Sequence, residues 1–431
     1  MNATDSPPRA TDRPRTVVDG YPTECDEGVI VTTTAPIELP EEFLRDPTPV
    51  YERLQAQGPV HHVRLPSGLA GWLVTDYTVA KQVLADPTIR KDVHQIRRII
   101  DTTHPGVHAM GSDMAEHMLN TDPPAHTRLR KLVAKAFTPR SVAALVPRIE
   151  QIADELIAAM PTTDPVDLLS TFAFPLPITV ICELLGIPVT DRDQFRDWTN
   201  TILFAGAQGR ETVLAAAADM HTYLLTLIAD RGAQPGEDML SGLVTATDDG
   251  ANLTEAEVVS MVFLLLVAGH ETTVNLIGNT MLTLLGDPDR LTQLREHPDQ
   301  VPAALEEHLR HLGPVHIATL RFTTETVTLG DTTIGTDELV FVSLAAANRD
   351  PHRFTEPELV DYDRDNPGHL AFGHGIHVCL GAPLARAEGN IAITRLLAQY
   401  PHISLAADPT TLGWRTSSLI RGLDALPVQL R

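Results

Sequence analysis

A chain of 431 residues with 33 basic and 56 acidic side chains, formal charge −23, is a poor partner for nucleic acid or an anionic membrane. Its three cysteines, Cys25, Cys182 and Cys379, are too scattered for a disulfide framework or a zinc site, which points to a reducing cytoplasm. The length allows a large core, and no Gly/Ser linker, internal repeat or composition break divides it.

Residues 1–34 are rich in Pro, Asp, Thr and Arg and read as a flexible N-terminal arm. The arm lacks the apolar segment of a signal peptide. Residues 35–431 read as one catalytic domain. Helical periodicity predicts helices over 47–57 and 76–85, with strand-like 60–64 and 72–75 between them as a hairpin. Further helices are predicted over 126–137, 139–160, 176–185, 191–204 and 211–231. The first of these, from His126 to Lys135, is basic against an acidic background. Residues 204–209, with two glycines, read as a turn that can act as a lid.

Thr254-Glu255-Ala256-Glu257 is a capping box that opens a helix of about thirty residues. Gly286-Asp287-Pro288 stops it. Its longest apolar run, 258–269, is too short to span a bilayer. Midway the apolar face is interrupted by Ala268-Gly269-His270-Glu271-Thr272-Thr273. A mid-helix glycine costs about 1 kcal/mol, and buried polar groups cost more unless they find partners. Such features persist where packing or function requires them. Helices over 288–296 and 301–311 follow, the second with Glu307 and Arg310 three residues apart on one face. Strand-like 319–323, 326–329 and 338–343 precede a glycine-punctuated loop from Phe372 to Gly381, then a helix over 382–400. The whole predicts a mainly α protein with a small β region.

That loop holds Cys379. A lone cysteine is usually a small buried hydrophobe. Here three glycines let the backbone approach a flat object, and the following helix turns its positive end toward the sulfur. Phe372-Gly373-x-Gly375-x-His377-x-Cys379-x-Gly381 meets every fixed position of F-G-x-G-x-H-x-C-x-G, and Ala268-Gly269-His270-Glu271-Thr272 meets (A/G)-G-x-(D/E)-T. On these motifs, from about residue 40 onward, the chain resembles the cytochrome P450 family. Its Asp122-Pro123-Pro124 turn is similar to that of the soluble actinobacterial members.

The resemblance implies a triangular prism of helices enclosing haem b, with Cys379 as the axial thiolate. It implies a monooxygenase that hydroxylates or epoxidises an apolar secondary metabolite: a macrolide, polyketide, terpenoid or peptide. O2 would be the oxidant, with two electrons from NAD(P)H through a ferredoxin reductase and ferredoxin. Glu271 would deliver protons and Thr272 would hydrogen-bond the oxygen. Ala268 and Gly269 would let the long helix widen and lie close to the haem. His126, Arg130, Arg321 and His377 would hold its propionates, and Phe372 and Gly381 would flank the sulfur. Glu307, Arg310 and Arg364 would form a buried structural network. Arg128, Lys131 and Lys135 would face the electron donor.

For the substrate pocket the resemblance implies Leu264, Leu265, Val315, Ile317 and Leu419, together with residues 89–118. Two other readings remain at this stage: a peroxide-driven peroxygenase, against which the intact Glu271-Thr272 pair argues, and a non-catalytic haem sensor or carrier.

Overall fold

The computed structural model describes residues 35–430 apart from 105–112, 162, 164, 205–208, 246, 249–250 and 366–367. The arm expected over 1–34 and the heart of the lid-like turn, 205–208, lie outside the described residues.

The chain opens on β1 (Ile37–Glu38), α1 (Thr48–Gln55) and the hairpin β2 (Val60–Arg64) and β3 (Ala70–Val74). Asp76 caps α2 (Tyr77–Ala85) by accepting the Val79 N–H. Then come β4 (Ile89–Arg90), α3 (Val93–Thr103), α4 (Ala125–Ala134), α5 (Pro139–Ala159), β5 (Val166–Asp167), α6 (Pro175–Leu185) and α7 (Arg192–Leu203). After these follow α8 (Arg210–Ala233), α9 (Met239–Val244), a small hairpin of β6 (Thr247–Asp248) with β7 (Ala251–Asn252), α10 (Glu255–Leu285), α11 (Pro288–Glu296) and α12 (Val301–Leu312). The last third holds β8 (Arg321–Thr323), β9 (Val327–Leu329), β10 (Thr332–Ile334), β11 (Leu339–Val342), α13 (Leu344–Ala347), α14 (Ala382–Gln399), β12 (Ser404–Leu405) and β13 (Pro427–Gln429).

Six strands form a mixed sheet in the order β1-β2-β3-β11-β8-β4. It joins the start of the chain to its last third. The expected strand over 326–329 is not part of it, because it pairs with β10 as a separate hairpin. A third sheet ties β5 to β13 and β12.

The centre is α10. Its capping box forms, with Thr254 Oγ1 accepting the Glu257 N–H and the Glu257 carboxylate accepting the Thr254 N–H. It packs against α6, α8, α12 and α14, so side chains are buried all around it. That explains why apolar residues occur on every side of it. By length and composition α10, like α8, is apolar enough to cross a membrane, a property the run 258–269 alone does not convey. Most of α10 is buried inside the fold.

Candidate active site

The Cys379 loop is built on two left-handed glycines, Gly373 at φ 72° and Gly375 at φ 73°. The Gly373 N–H donates to Leu370 O at 2.8 Å, and the Cys379 N–H closes the loop onto Phe372 O at 2.8 Å. A Cβ on Gly375 would stand 2.5 Å from Leu84 O of α2. Gly375→Ala is therefore expected to cost about 1–3 kcal/mol through backbone strain alone, with the α2 contact adding to it. A thermal melt followed by haem absorbance checks this; an unchanged midpoint would contradict it.

Cys379 is solvent-accessible, yet protein surrounds it on most sides, so its sulfur lies on the floor of a recess. The sequence led us to expect a thiol biased toward thiolate by the helix behind it. In the structure burial pushes the thiol up, and the Gly381 and Ala382 amides, Arg130 and Arg386 only partly offset that. A cation bound at the sulfur would favour the thiolate. Phe372 lies beside the loop with the Arg386 guanidinium 4.5 Å over its ring, and Arg386 is held by Glu306 at 2.6 and 2.8 Å.

Next to the thiol is a cluster of bases. The His126 and His377 rings stand 4.3 Å apart, and Arg130 Nη2 donates to Val378 O at 2.7 Å. Arg321, on β8, is 4 % exposed. Both ring nitrogens of His126, Nε2 of His377 and Nε of Arg321 are buried without a hydrogen-bond partner. Burial and the surrounding cations drive His377 down to about 2, and burial takes Arg321 to about 10. Unpartnered buried donors and mutually repelling cations call for an anionic group. The two carboxylates of haem suit them, and the accessible thiol suits its iron.

On α10, Leu264, Ala268 and Thr272 follow at four-residue steps, hence on one face. Ala268 is exposed in the middle of a buried helix, so that face meets open space. Leu265 is one position round, in line with Gly269, whose hypothetical Cβ would meet Ile181 at 3.1 Å. The expected local widening is not seen: α10 is a continuous α-helix from Glu255 to Leu285, and Thr272 Oγ1 donates back to Ala268 O at 2.8 Å.

Glu271 is 2 % exposed. Its Oε2 accepts Arg415 Nη1 at 3.2 Å, and its Oε1 stands 3.4 Å from His270 Nε2. Burial pushes its carboxyl up, but His270 and Arg415 outweigh that and hold it below the usual carboxylate range. Glu271 therefore meets a buried charge network rather than solvent directly. Arg415 was not singled out from sequence: it lies 144 positions away and carries no local signal. The same holds for Lys91, buried beside Arg321.

The structure brings Glu307, Arg310 and Arg364 together. Arg310 donates through Nε and Nη2 to both Glu307 oxygens at 2.8 and 2.7 Å, and Arg364 Nε reaches Glu307 Oε1 at 3.0 Å. The two guanidiniums also donate to the carbonyls of Asn348, Pro357, Leu359, Thr355 and Glu356, which pins the segment leading to the loop.

Several expected pocket and docking residues lie elsewhere. Ile317 packs with Leu39, Phe43 and Phe341, away from α10. Ile96, Ile99 and Ile100 belong to α3, not a pocket loop, and pack on Phe322 and Leu339 of the sheet. His94 pairs with Glu116, and His104 Nε2 accepts the Ala70 N–H. Val107, His108 and Met110 lie outside the described residues. Val315 and Leu419 do come together, through a Val315–Ile420 bridge and the His316 N–H on Leu419 O. Arg128 is not an outward-facing base: it pairs with Glu257 at the start of α10. Lys131 is exposed on α4, and the side chain of Lys135 lies outside the described residues.

An accessible thiol beside a cluster of unpartnered bases, in a fold whose central helix carries a buried acid, fits a haem-thiolate protein. The family model for Cytochrome P450 matches residues 72–413. The chain is 50 % identical over 395 residues to cytochrome P450 107B1 of Saccharopolyspora erythraea, covering 90 % of this chain and 96 % of that one. It is 48 % identical to cytochrome P450 monooxygenase PikC of Streptomyces venezuelae over 91 % of this chain and 93 % of PikC. The solved structure of the tirandamycin C-bound P450 monooxygenase TamI superposes with a TM-score of 0.87 at 47 % identity, covering 92 % of this chain and all of that one. The chain belongs to the cytochrome P450 family. It is a monooxygenase whose cofactor is haem, with iron on a cysteine thiolate, and it takes a small-molecule substrate and reducing partners.

Proposed function

We propose that this monooxygenase hydroxylates or epoxidises a polyketide or macrolide secondary metabolite in the bacterial cytoplasm, with electrons from a ferredoxin and its reductase. Residues 35–431 form its one catalytic domain. The observation that carries the reading is the buried Glu271, held below the usual carboxylate range one position from Thr272 on the central helix α10. For the substrate class the support is the tirandamycin C bound by the similar TamI. Terpenoids and peptides are the comparison classes for the test.

When bound, the haem supplies the iron at which O2 is reduced and one oxygen atom is passed on. The residues around it have separate tasks. Cys379 is the iron ligand, steadied by the Gly381 and Ala382 amides. His126, Arg130, Arg321 and His377 hold the haem carboxylates, which partners their orphaned donors. Phe372, under Arg386, shields the sulfur from water. Glu271 takes up a proton at its carboxylate and passes it toward the Thr272 hydroxyl. Thr272, whose hydroxyl accepts on its lone pairs, must turn its own O–H away from Ala268 O to pass a proton on. Leu264, Ala268, Val315 and Leu419 border the apolar space where the substrate lies.

Arg415 sets the pH range of this relay. A cation beside a carboxylate lowers its pKa, so Arg415→Ala raises that of Glu271. The acid limb of the coupled-turnover profile then moves to higher pH, while Arg415→Lys restores most of the shift. Superimposable wild-type and alanine profiles would contradict this.

The donor docks at α4, near Lys131 and Lys135. Lys131→Glu is expected to raise KM for ferredoxin severalfold at low salt, leave kcat unchanged, and lose its effect at high salt. A salt-independent effect would argue against docking there.

The substrate class is tested by optical titration of the ferric holoprotein with polyketides, macrolides, terpenoids and cyclic peptides. A Soret shift toward high spin with a polyketide or macrolide supports it. Shifts confined to the other classes overturn it.

A further inference from the structure

Lys91 follows β4 directly, in the sequence Ile89-Arg90-Lys91-Asp92. β4 runs antiparallel to β8 with Ile89 opposite Thr323 and Arg90 opposite Phe322. Lys91 follows the last paired residue of β4, and Arg321 Nη1 reaches back to Ile89 O. The two like charges lie close enough for Arg321 to disfavour the Lys91 ammonium, and both are buried, at 2 % and 4 % exposure.

Their protein partners do not balance that charge. Lys91 Nζ donates to Thr319 Oγ1 at 2.5 Å, and Arg321 Nη1 donates to Ile89 O at 3.3 Å. Arg321 Nε has no partner. The nearby carboxylate, Asp122, accepts the backbone N–H groups of Lys91 and Asp92. Among the described residues, no carboxylate stands within ion-pair distance of either side chain. Burial, then Arg321, push Lys91 well below its ordinary value, and Lys91 in turn depresses His117, His126 and His377. A buried ammonium left uncompensated beside a guanidinium is unfavourable unless an anion joins them. The orphaned nitrogens of His126, His377 and Arg321 mark where that anion belongs.

We propose that Lys91 is a haem-holding residue: its ammonium neutralises a haem carboxylate together with Arg321, His126 and His377, and its charge raises the reduction potential of the iron. This rests on the assignment of the haem carboxylates to that basic cluster. The neutral ladder residue expected at such a buried strand end would leave the cluster weaker by one charge. The competing role is a strut that only fastens β4 to Thr319.

The test compares Lys91→Met, Lys91→Arg and Arg321→Gln as holoproteins. Two quantities are read: the midpoint potential of the iron and the rate of haem loss to an excess of haem-free globin. Lys91→Met is expected to lower the potential and speed haem loss about tenfold. Lys91→Arg, which keeps the charge, is expected to match wild type in both. A strut has no reason to move the potential, so a methionine variant with wild-type potential overturns the proposal. If Arg321→Gln shifts both quantities and Lys91→Met neither, Lys91 alone is misassigned. If neither variant shifts them, the assignment of the carboxylates to this cluster fails as well. Should Lys91→Met not accumulate, Lys91→Arg decides: wild-type values sustain the proposal, and a fallen potential with fast haem loss overturns it.

Discussion

Replacing Glu307 with alanine is expected to leave almost no recoverable holoprotein. Glu307 Oε1 accepts from Arg310, Arg364 and the Asp361 N–H, and Oε2 accepts from Arg310. Burial alone would push this carboxyl up, yet Arg310, the Asp361 amide and Arg364 hold it below the usual range. Deleting it leaves two guanidiniums facing each other, one of them, Arg310, 3 % exposed. Breaking a buried pair by removing one partner costs about 3–5 kcal/mol, against a total stability of about 5–15 kcal/mol. The damage is also local. Both arginines hold carbonyls of residues 348–359, the approach to the Cys379 loop. Glu307→Gln keeps hydrogen-bond acceptance and is expected to fall between alanine and wild type. Haem content per milligram of soluble protein and the thermal midpoint are the readouts. Soluble Glu307→Ala with wild-type haem content would refute the account of this network.

Cys379→Ser is expected to separate cofactor retention from chemistry. The hydroxyl is nearly isosteric, and the loop conformation depends on Gly373, Gly375 and the Cys379 backbone N–H rather than on sulfur. The basic cluster proposed to receive the haem carboxylates is untouched. The variant should therefore fold and keep part of its haem. Its ferrous–carbonyl spectrum should lose the thiolate-type Soret band, and oxygenation should fall at least about 100-fold, since a neutral oxygen ligand pushes far less electron density toward O–O cleavage. A serine variant with wild-type turnover would exclude Cys379 as the ligand.

What could be read from sequence was local. The capping box at Thr254, the stop at Gly286, the spacing of Glu307 with Arg310 and the glycines around Cys379 each signal within a few residues, and the structure realises all of them. Long-range pairing was not legible. β4 is two residues long and acquires its identity from β8, over two hundred positions later. Nothing near Lys91 announces Arg321. Arg128 looked free in a basic helix because its partner Glu257 lies 129 positions away. Arg415 sits in an irregular C-terminal stretch and gains meaning through Glu271 and the Phe204 ring beneath it. Residues 89–118 mix polar and apolar side chains and read as pocket lining; within them the isoleucines at 96, 99 and 100 are the apolar stripe of a helix on the sheet.

The central claim is that this chain moves one atom of O2 into an organic molecule with electrons from a protein donor. The most direct measurement is mass spectrometry of product formed under 18O-labelled O2. Holoprotein, reduced ferredoxin and the polyketide or macrolide giving the largest Soret shift would be used. The account predicts product carrying one labelled oxygen, with none taken from water. Unlabelled product, or product formed with peroxide but not with O2 and reduced ferredoxin, would contradict it.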